Sequence, residues 1–113
     1  MRLVSYNVNG IRAAIKKGLL DWIESDAADI ICIQETKSHP EQVDLTQLEQ
    51  LGYQQHWHSA VKKGYSGVLT LTKLKPKDVQ VGIGIERYDN EGRTVITHFD
   101  NCCLLYTSDA ADE

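Results

Sequence analysis

Residues 29–37 read Asp-Ile-Ile-Cys-Ile-Gln-Glu-Thr-Lys, a short apolar run that ends in a carboxamide, a carboxylate and an ammonium. Ile30–Ile33 is too short for a typical helix and is mostly β-branched, so it predicts a buried strand. Such a strand is typical of an α/β sheet that is covered on both faces and binds ligands beyond its carboxyl end. Glu35 and Lys37 fall at that end, where a carboxylate suits a hard cation and a lysine suits a phosphate. The alternative, from this stretch alone, is a strand terminus with a solvated Glu and Lys.

Length and composition predict one small globular domain. The chain has 113 residues, of which 42% are hydrophobic and 25% charged. No apolar run approaches the roughly 20 residues of a membrane span, and the N-terminus does not resemble an export signal. The three cysteines (Cys32, Cys102 and Cys103) form neither a disulfide framework nor a metal-binding spacing, so we expect a cytoplasmic protein without a membrane partner. The net charge of −4 does not by itself indicate a nucleic-acid partner.

The chain opens with a predicted strand, turn and helix. Arg2–Tyr6 is the strand candidate, and Asn7-Val8-Asn9-Gly10 supplies residues that tolerate a tight turn. Apolar residues then recur at mostly helical spacing, which predicts a helix from about Ile11 to Ser25 with a break near Gly18.

Together with the strand at Ile30–Ile33, this segment predicts a βαβ unit. Adjacent strands of such a unit end at the same edge of the sheet. We therefore expect Asn7, Asn9 and Glu35 to lie close together.

The second half of the chain predicts one more helix and several consecutive strands. Val43 to Leu51 has helical apolar spacing and is followed by Gly52. Lys62–Gly67 is a basic, glycine-bounded loop with one aromatic residue. We expect a mixed β-sheet with flanking helices and no second domain. The strand candidates are Tyr53–His58, Val68–Thr72, Val79–Ile85 and Thr94–Phe99.

Four segments in order resemble the exonuclease III family of apurinic/apyrimidinic (AP) endonucleases. They are Ser5–Ala13, Ile33–Lys37, Gly64–Gly67, and Gly82–Gly84 continuing through Glu91–Arg93. The family fold is a four-layer α/β sandwich of the endonuclease/exonuclease/phosphatase superfamily. The resemblance implies that residues 1–102 form the N-terminal half of that sandwich, a partial domain.

The resemblance also implies a function in base excision repair. Family members are hydrolases that use Mg²⁺, with Mn²⁺ as an alternative. They cut the DNA phosphodiester 5′ to an abasic site, and many remove nucleotides from 3′ ends. The implied partner is double-stranded DNA with abasic sites or 3′ ends, and the implied state of the complete protein is a monomer.

The family's functional residues carry over to matching positions of this chain. Glu35 would be the principal metal ligand and Asn7 an active-site residue that orders the metal site and the attacking water. Asn9 stands where some relatives have aspartate, so its role would be indirect. The residues implied in DNA binding are Asn9, Lys37, Lys62, Lys63, Tyr65 and Arg93, although Arg93 fits a purely structural role in its turn better.

The family's catalytic aspartate and its Asp-His pair have no counterpart within residues 1–102. None of the four histidines (His39, His56, His58 and His98) stands in a matching context. Hydrolysis needs a positioned base as well as a metal. We therefore expect the complete protein to be an enzyme and this chain to be inactive alone.

Residues 103–113 resemble a translated sequencing adapter, and we expect them to be foreign to the domain; the alternative is a genuine strand with an acidic end. This tail carries three acidic residues (Asp109, Asp112 and Glu113) and no Lys or Arg. Without those three charges the net charge rises from −4 to −1.

Two other functions remain open from the sequence. One is a superfamily phosphodiesterase or phosphatase that acts on lipid or nucleotide substrates. The other is a non-catalytic α/β binding module, although Asn7-Val8-Asn9-Gly10 is not a phosphate-binding glycine fingerprint.

Overall fold

The computed structural model describes residues 2–99 and the backbone of residues 103–107. Within these residues seven strands form two sheets, and three of the short helices pack on the first sheet. The strands are β1 (Leu3–Asn7), β2 (Ile30–Gln34), β3 (Gln54–His58), β4 (Val68–Thr72), β5 (Asp78–Val81), β6 (Thr94–His98) and β7 (Cys103–Thr107). The helices are α1 (Ile11–Lys16), α2 (Leu19–Asp26), α3 (Thr46–Gln50) and α4 (Glu86–Asp89), with a 3-10 turn at Pro40–Gln42. None of these helices is long and apolar enough to cross a membrane.

The first sheet has the strand order β1-β2-β4-β3 and is mixed, as predicted. β1 and β2 are parallel, whereas β4 is antiparallel to both β2 and β3. β2 is buried along Ile30–Ile33 because each of its faces is covered. Ile31 and Ile33 pack in the core beneath the helices, and Ile30 and Cys32 pack in the core shared with Val95 of the second sheet.

The second sheet has the order β5-β6-β7 and is antiparallel. It contacts β3 and β4 of the first sheet. β7, which pairs with β6, lies in the segment that the sequence predicts to be foreign. That prediction stays a prediction, and residues 108–113 lie outside the described part of the chain.

The predicted helix over 11–25 is two helices, because Gly18 adopts a left-handed φ of 102° between α1 and α2. The break near Gly18 is therefore confirmed. The second predicted helix is too long: α3 begins only at Thr46, whose N–H donates to the Asp44 side chain at 3.0 Å.

The predicted strand over 79–85 is wrong beyond Val81. There the chain turns, and the Asp89 carboxylate accepts hydrogen bonds from the backbone N–H groups of Ile83 (2.8 Å) and Gly84 (2.9 Å). A short helix, α4, also occupies part of the stretch that the sequence predicts to be an irregular connection.

Cys32 is fully buried in β2 between the two sheets. Burial raises the pKa of its thiol to about 11, because the thiolate would lose its hydration there. This cysteine is therefore a packing residue rather than a reactive one.

Candidate active site

The parallel pairing of β1 and β2 brings two polar side chains together at the carboxyl edge of the first sheet. Asn7 is the register partner of Gln34, so the next residue, Glu35, faces it. The Asn7 Nδ2 group donates to Glu35 Oε2 at 2.5 Å. The Glu35 side chain is only 13% exposed, and this hydrogen bond fixes one of its oxygens. The other oxygen, Oε1, remains on the side of Lys37.

Lys37 and Asn9 complete a four-residue cluster with Asn7 and Glu35, which we call the carboxyl-edge cluster. Lys37 Nζ donates to Asn9 Oδ1 at 2.6 Å and lies 3.8 Å from Glu35 Oε1. The Asn9 backbone N–H donates to Asn7 Oδ1 at 3.0 Å. The predicted convergence of Asn7, Asn9 and Glu35 is thus present, and the Lys37 side chain beside them is 40% exposed.

The backbone of the cluster is held in an unusual conformation. Asn9, Glu35 and Lys37 have left-handed φ angles of 47°, 54° and 51°. For Glu35 and Lys37 this conformation costs roughly 1 kcal/mol or more each, so the surroundings must enforce it. They do so through backbone hydrogen bonds on both sides of the segment: Gly10 N–H to Glu35 O (2.8 Å), Ile11 N–H to Thr36 O (2.9 Å), and Lys37 N–H to Ser66 O (2.7 Å).

The donor atoms of the cluster fit a magnesium ion. No group of three or more His, Cys, Asp or Glu side chains that could hold a metal occurs among the described residues. A soft or thiolate-rich metal centre therefore has no basis in this part of the chain. Mg²⁺, in contrast, is commonly bound by one or two carboxylates together with water and substrate phosphate. Glu35 Oε1 is the carboxylate oxygen that Asn7 leaves available.

A basic cavity of about 490 Å³ lies beside the cluster. Sequence analysis missed two of its lining residues, Arg12 and Lys16, which lie four positions apart on α1 and are exposed. Their i, i+4 spacing directly after Gly10 places both on one face of the predicted helix, and this signal is present in the sequence alone. Their approach to Lys37 and to Gly64 could not be read from the sequence, because it depends on how the loop before β4 folds back.

Tyr65 lies in a second polar group formed by two distant segments. Arg93 donates to the Tyr65 hydroxyl at 2.9 Å and to Glu91 Oε1 at 3.0 Å. The guanidinium of Arg93 and the ammonium of Lys62 lie 5.5 Å and 5.4 Å from the Tyr65 ring centre, which is cation–π range. Lys63 is exposed in the same loop. These contacts favour the bracing role of Arg93 and leave Lys62 and Lys63 at the surface.

Comparison with known proteins identifies relatives of the whole chain. Its sequence is 46% identical over 106 residues to an exodeoxyribonuclease of Bacillus subtilis (strain 168), covering 93% of this chain and 41% of that protein. It is 36% identical over 107 residues to a DNA-(apurinic or apyrimidinic site) endonuclease of Dictyostelium discoideum, covering 95% and 29%. The chain thus spans less than half the length of the relatives it matches.

Solved structures agree with the sequence relatives. An AP endonuclease from Archaeoglobus fulgidus superposes with a TM-score of 0.80 at 25% identity, covering 96% of this chain and 40% of that one. This confirms the mixed α/β fold as part of the predicted larger architecture. The model of the Endonuclease/Exonuclease/phosphatase family matches residues 4–111. The chain therefore belongs to the Endonuclease/Exonuclease/phosphatase family, and its homologues are exodeoxyribonucleases and AP endonucleases.

Proposed function

We propose that this chain is the N-terminal part of a Mg²⁺-dependent DNA-repair nuclease. Its reaction is hydrolysis of the phosphodiester 5′ to an abasic site, together with 3′-to-5′ removal of nucleotides from duplex ends. The observation that carries the proposal is the carboxyl-edge cluster, in which Glu35 and Lys37 converge beside a basic cavity. The names of the relatives, an exodeoxyribonuclease and an AP-site endonuclease, support DNA as the substrate.

The cluster divides the work of phosphate chemistry among its side chains. Glu35 Oε1 would hold Mg²⁺ or Mn²⁺. When bound, the ion would neutralise the negative charge that develops on the phosphate. Asn7 keeps the Glu35 carboxylate in one orientation through its hydrogen bond to Oε2. Lys37 offers a positive charge to a non-bridging phosphate oxygen, and Asn9 holds the Lys37 ammonium in place.

Contacts to the DNA backbone are proposed on either side of this cluster. Arg12 and Lys16 line the cavity next to Lys37, and their charges suit successive phosphates of one strand. The loop with Lys62, Lys63 and Tyr65 supplies a second contact region. Phosphate contacts position the duplex without reading its sequence, which is what an enzyme specific for a missing base requires.

We also propose that this chain does not hydrolyse DNA alone, because no general base stands in the carboxyl-edge cluster. The proposed form of the complete protein is a cytoplasmic monomer. Its base and remaining site residues would come from the length that the relatives have and this chain does not.

The test is a nicking assay on the complete gene product, read from the genomic frame beyond codon 101. The substrate is duplex DNA with one abasic site, in Mg²⁺, in Mn²⁺ and in EDTA. Glu35→Gln should lower the cutting rate by about 10²-fold or more, because it removes the ligand charge at constant shape. Glu41→Gln is the matched control, since the Glu41 side chain is 73% exposed on the 3-10 turn and should leave the rate unchanged.

Metal-independent cutting, or full activity of Glu35→Gln, would refute the proposed metal site. A product that ignores abasic DNA but cleaves a lipid or nucleotide phosphodiester would keep the family and refute the substrate. A product that binds DNA without cutting it would support a binding module instead.

A further inference from the structure

His58 lies nearly buried at the end of β3, and both nitrogens of its ring contact a distant segment of backbone. Nε2 is 2.7 Å from Asp89 O, and Nδ1 is 2.8 Å from Thr94 O and 3.1 Å from Thr94 N. A carbonyl oxygen only accepts hydrogen bonds, so Nε2 carries a proton and donates it to Asp89. Nδ1 lies within hydrogen-bond distance of both backbone groups of Thr94: without a proton it accepts the Thr94 N–H, and with a proton it donates to Thr94 O. One side chain therefore holds both ends of residues 89–94.

The segment that His58 holds is docked on the loop 59–67, which we call the contact loop. The Val61 N–H donates to Asn90 O at 2.8 Å. Gly92 packs so closely that an added Cβ would stand 2.2 Å from the Ala60 nitrogen. Arg93, in the same segment, donates to the Tyr65 hydroxyl. His58, at the base of the contact loop, and Tyr65, near its far end, are thus both fixed to one segment.

We propose that His58 is a positioning residue for DNA binding by the contact loop. It holds residues 89–94 so that this segment presents Tyr65, Lys62 and Lys63 to the DNA backbone in one geometry. The inference rests on the proposed function and adds a residue that acts through others, since its three polar contacts go to backbone atoms of Asp89 and Thr94.

A positioning role and a simple packing role of His58 affect different measurable quantities. A packing residue affects the free energy of unfolding, and a ring of equal volume without nitrogens would serve as well. A positioning residue affects how well a preformed surface binds, because a loose loop must be ordered when DNA binds. Loss of His58 should therefore weaken DNA binding and leave the chemical step, which belongs to the carboxyl-edge cluster, almost unchanged.

The experiment compares three variants of the complete gene product in the abasic nicking assay. His58→Phe keeps the ring and removes all three polar contacts, so KM should rise about tenfold while kcat stays within about twofold. His58→Asn lets a carboxamide pair with both Thr94 N–H and Thr94 O, so KM should return to within about threefold of wild type. His56→Phe, two residues earlier on the same strand, is the matched control and should leave KM unchanged.

A double-mutant cycle and hydrogen exchange test whether the loss of His58 weakens DNA binding through the contact loop. In the wild-type background, the Lys62→Gln, Lys63→Gln double variant should reduce the steepness of the plot of log K for DNA binding against log salt concentration by about 1–2. The same double variant should have less effect in the His58→Phe background, because the loop is already displaced. The Val61 amide should exchange faster in His58→Phe than in wild type.

The outcomes separate the two proposals. A wild-type product that neither binds nor cuts abasic DNA overturns the proposed function, and the role of His58 falls with it. If the wild type is active, three results overturn the His58 proposal alone. They are a folded His58→Phe with a normal KM, additive effects in the double-mutant cycle, and unchanged exchange of the Val61 amide. If His58→Phe does not fold, His58→Leu, which likewise removes every polar contact of the ring, is measured against the same criteria.

Discussion

The contact between Asn7 and Glu35 shows why an amide, rather than a second carboxylate, stands at the end of β1. The amide donates to Glu35 Oε2 while its own oxygen accepts the Asn9 N–H. A carboxylate at position 7 could not donate when ionised, and it would face another negative charge at hydrogen-bond distance. The amide of residue 7 therefore holds the Glu35 carboxylate in one orientation before any cation binds.

We predict that Asn7→Asp lowers the free energy of unfolding of this chain by about 1–2 kcal/mol at pH 7. The introduced carboxyl has a folded-state pKa above its unfolded value of about 3.9 because it faces the Glu35 carboxylate. The loss relative to wild type should therefore be full at neutral pH and should disappear as the pH falls below about 4. Urea unfolding at pH 7 and at pH 3 measures it.

Asn7→Ala is the control for this prediction, because it removes the same hydrogen bond without adding charge. Its loss at pH 7 should be smaller than that of Asn7→Asp, because no repulsion with Glu35 is added. Adding millimolar Mg²⁺ at pH 7 should restore Asn7→Asp more than it stabilises wild type, since a bound cation relieves the repulsion. Equal losses for the two variants at both pH values would contradict a direct contact between residue 7 and Glu35.

Among the structural elements, the start of β4 is joined to the end of β2 at a point where only glycine fits. Gly67 has a φ of 94°, and its carbonyl accepts the Thr36 N–H at 3.1 Å. A Cβ on Gly67 would stand 2.2 Å from Thr36 Oγ1, in a side chain that is fully buried. The tight junction is what places the contact loop beside Lys37.

We predict that Gly67→Ala costs about 2–4 kcal/mol of unfolding free energy, from steric overlap with Thr36 and from the left-handed backbone. Gly64→Ala, in the same loop with a φ of 74° and no atom within 4 Å of an added Cβ, should cost only about 1 kcal/mol. Denaturant unfolding of both variants measures the difference. Similar losses would mean that the backbone conformation, rather than the close approach to Thr36, requires Gly67.

The elements that sequence analysis predicts well are those whose signal is local. The buried strand at Ile30–Ile33 and the break at Gly18 follow from a few neighbouring residues, and the edge position of Asn7 and Glu35 follows from the βαβ unit. The wrong or missing features depend on distant partners. After β5 the Gly82 N–H still donates to Thr94 O, but the Asp89 carboxylate accepts the N–H groups of Ile83 and Gly84, and the strand pairing ends there. The pairing of Tyr65 with Arg93 joins residues 28 positions apart.

At the scale of the molecule, the second sheet covers only part of the first within the residues that the structure describes. It packs on β3 and β4, whereas β1 stands at the open end of the strand order. Leu3, Tyr6 and Trp22 are 46%, 48% and 44% exposed there, and Tyr6 and Trp22 contact each other with ring centres 6.2 Å apart. A cavity of about 630 Å³ between β1 and the first two helices adjoins this pair. Large apolar groups gathered at an unpaired strand edge favour association.

We predict that this chain self-associates at micromolar concentration through the Tyr6–Trp22 pair. As proposed above, it should also fail to cut abasic DNA. Tyr6→Lys should shift the association to at least about tenfold higher protein concentration, because a charge at the strand edge opposes pairing. Val61→Lys is the control, since Val61 is 71% exposed but lies in the contact loop away from β1. Sedimentation velocity over a concentration series measures both variants. A monomeric wild type, or equal shifts for the two variants, would show that the β1 edge is not the associating surface.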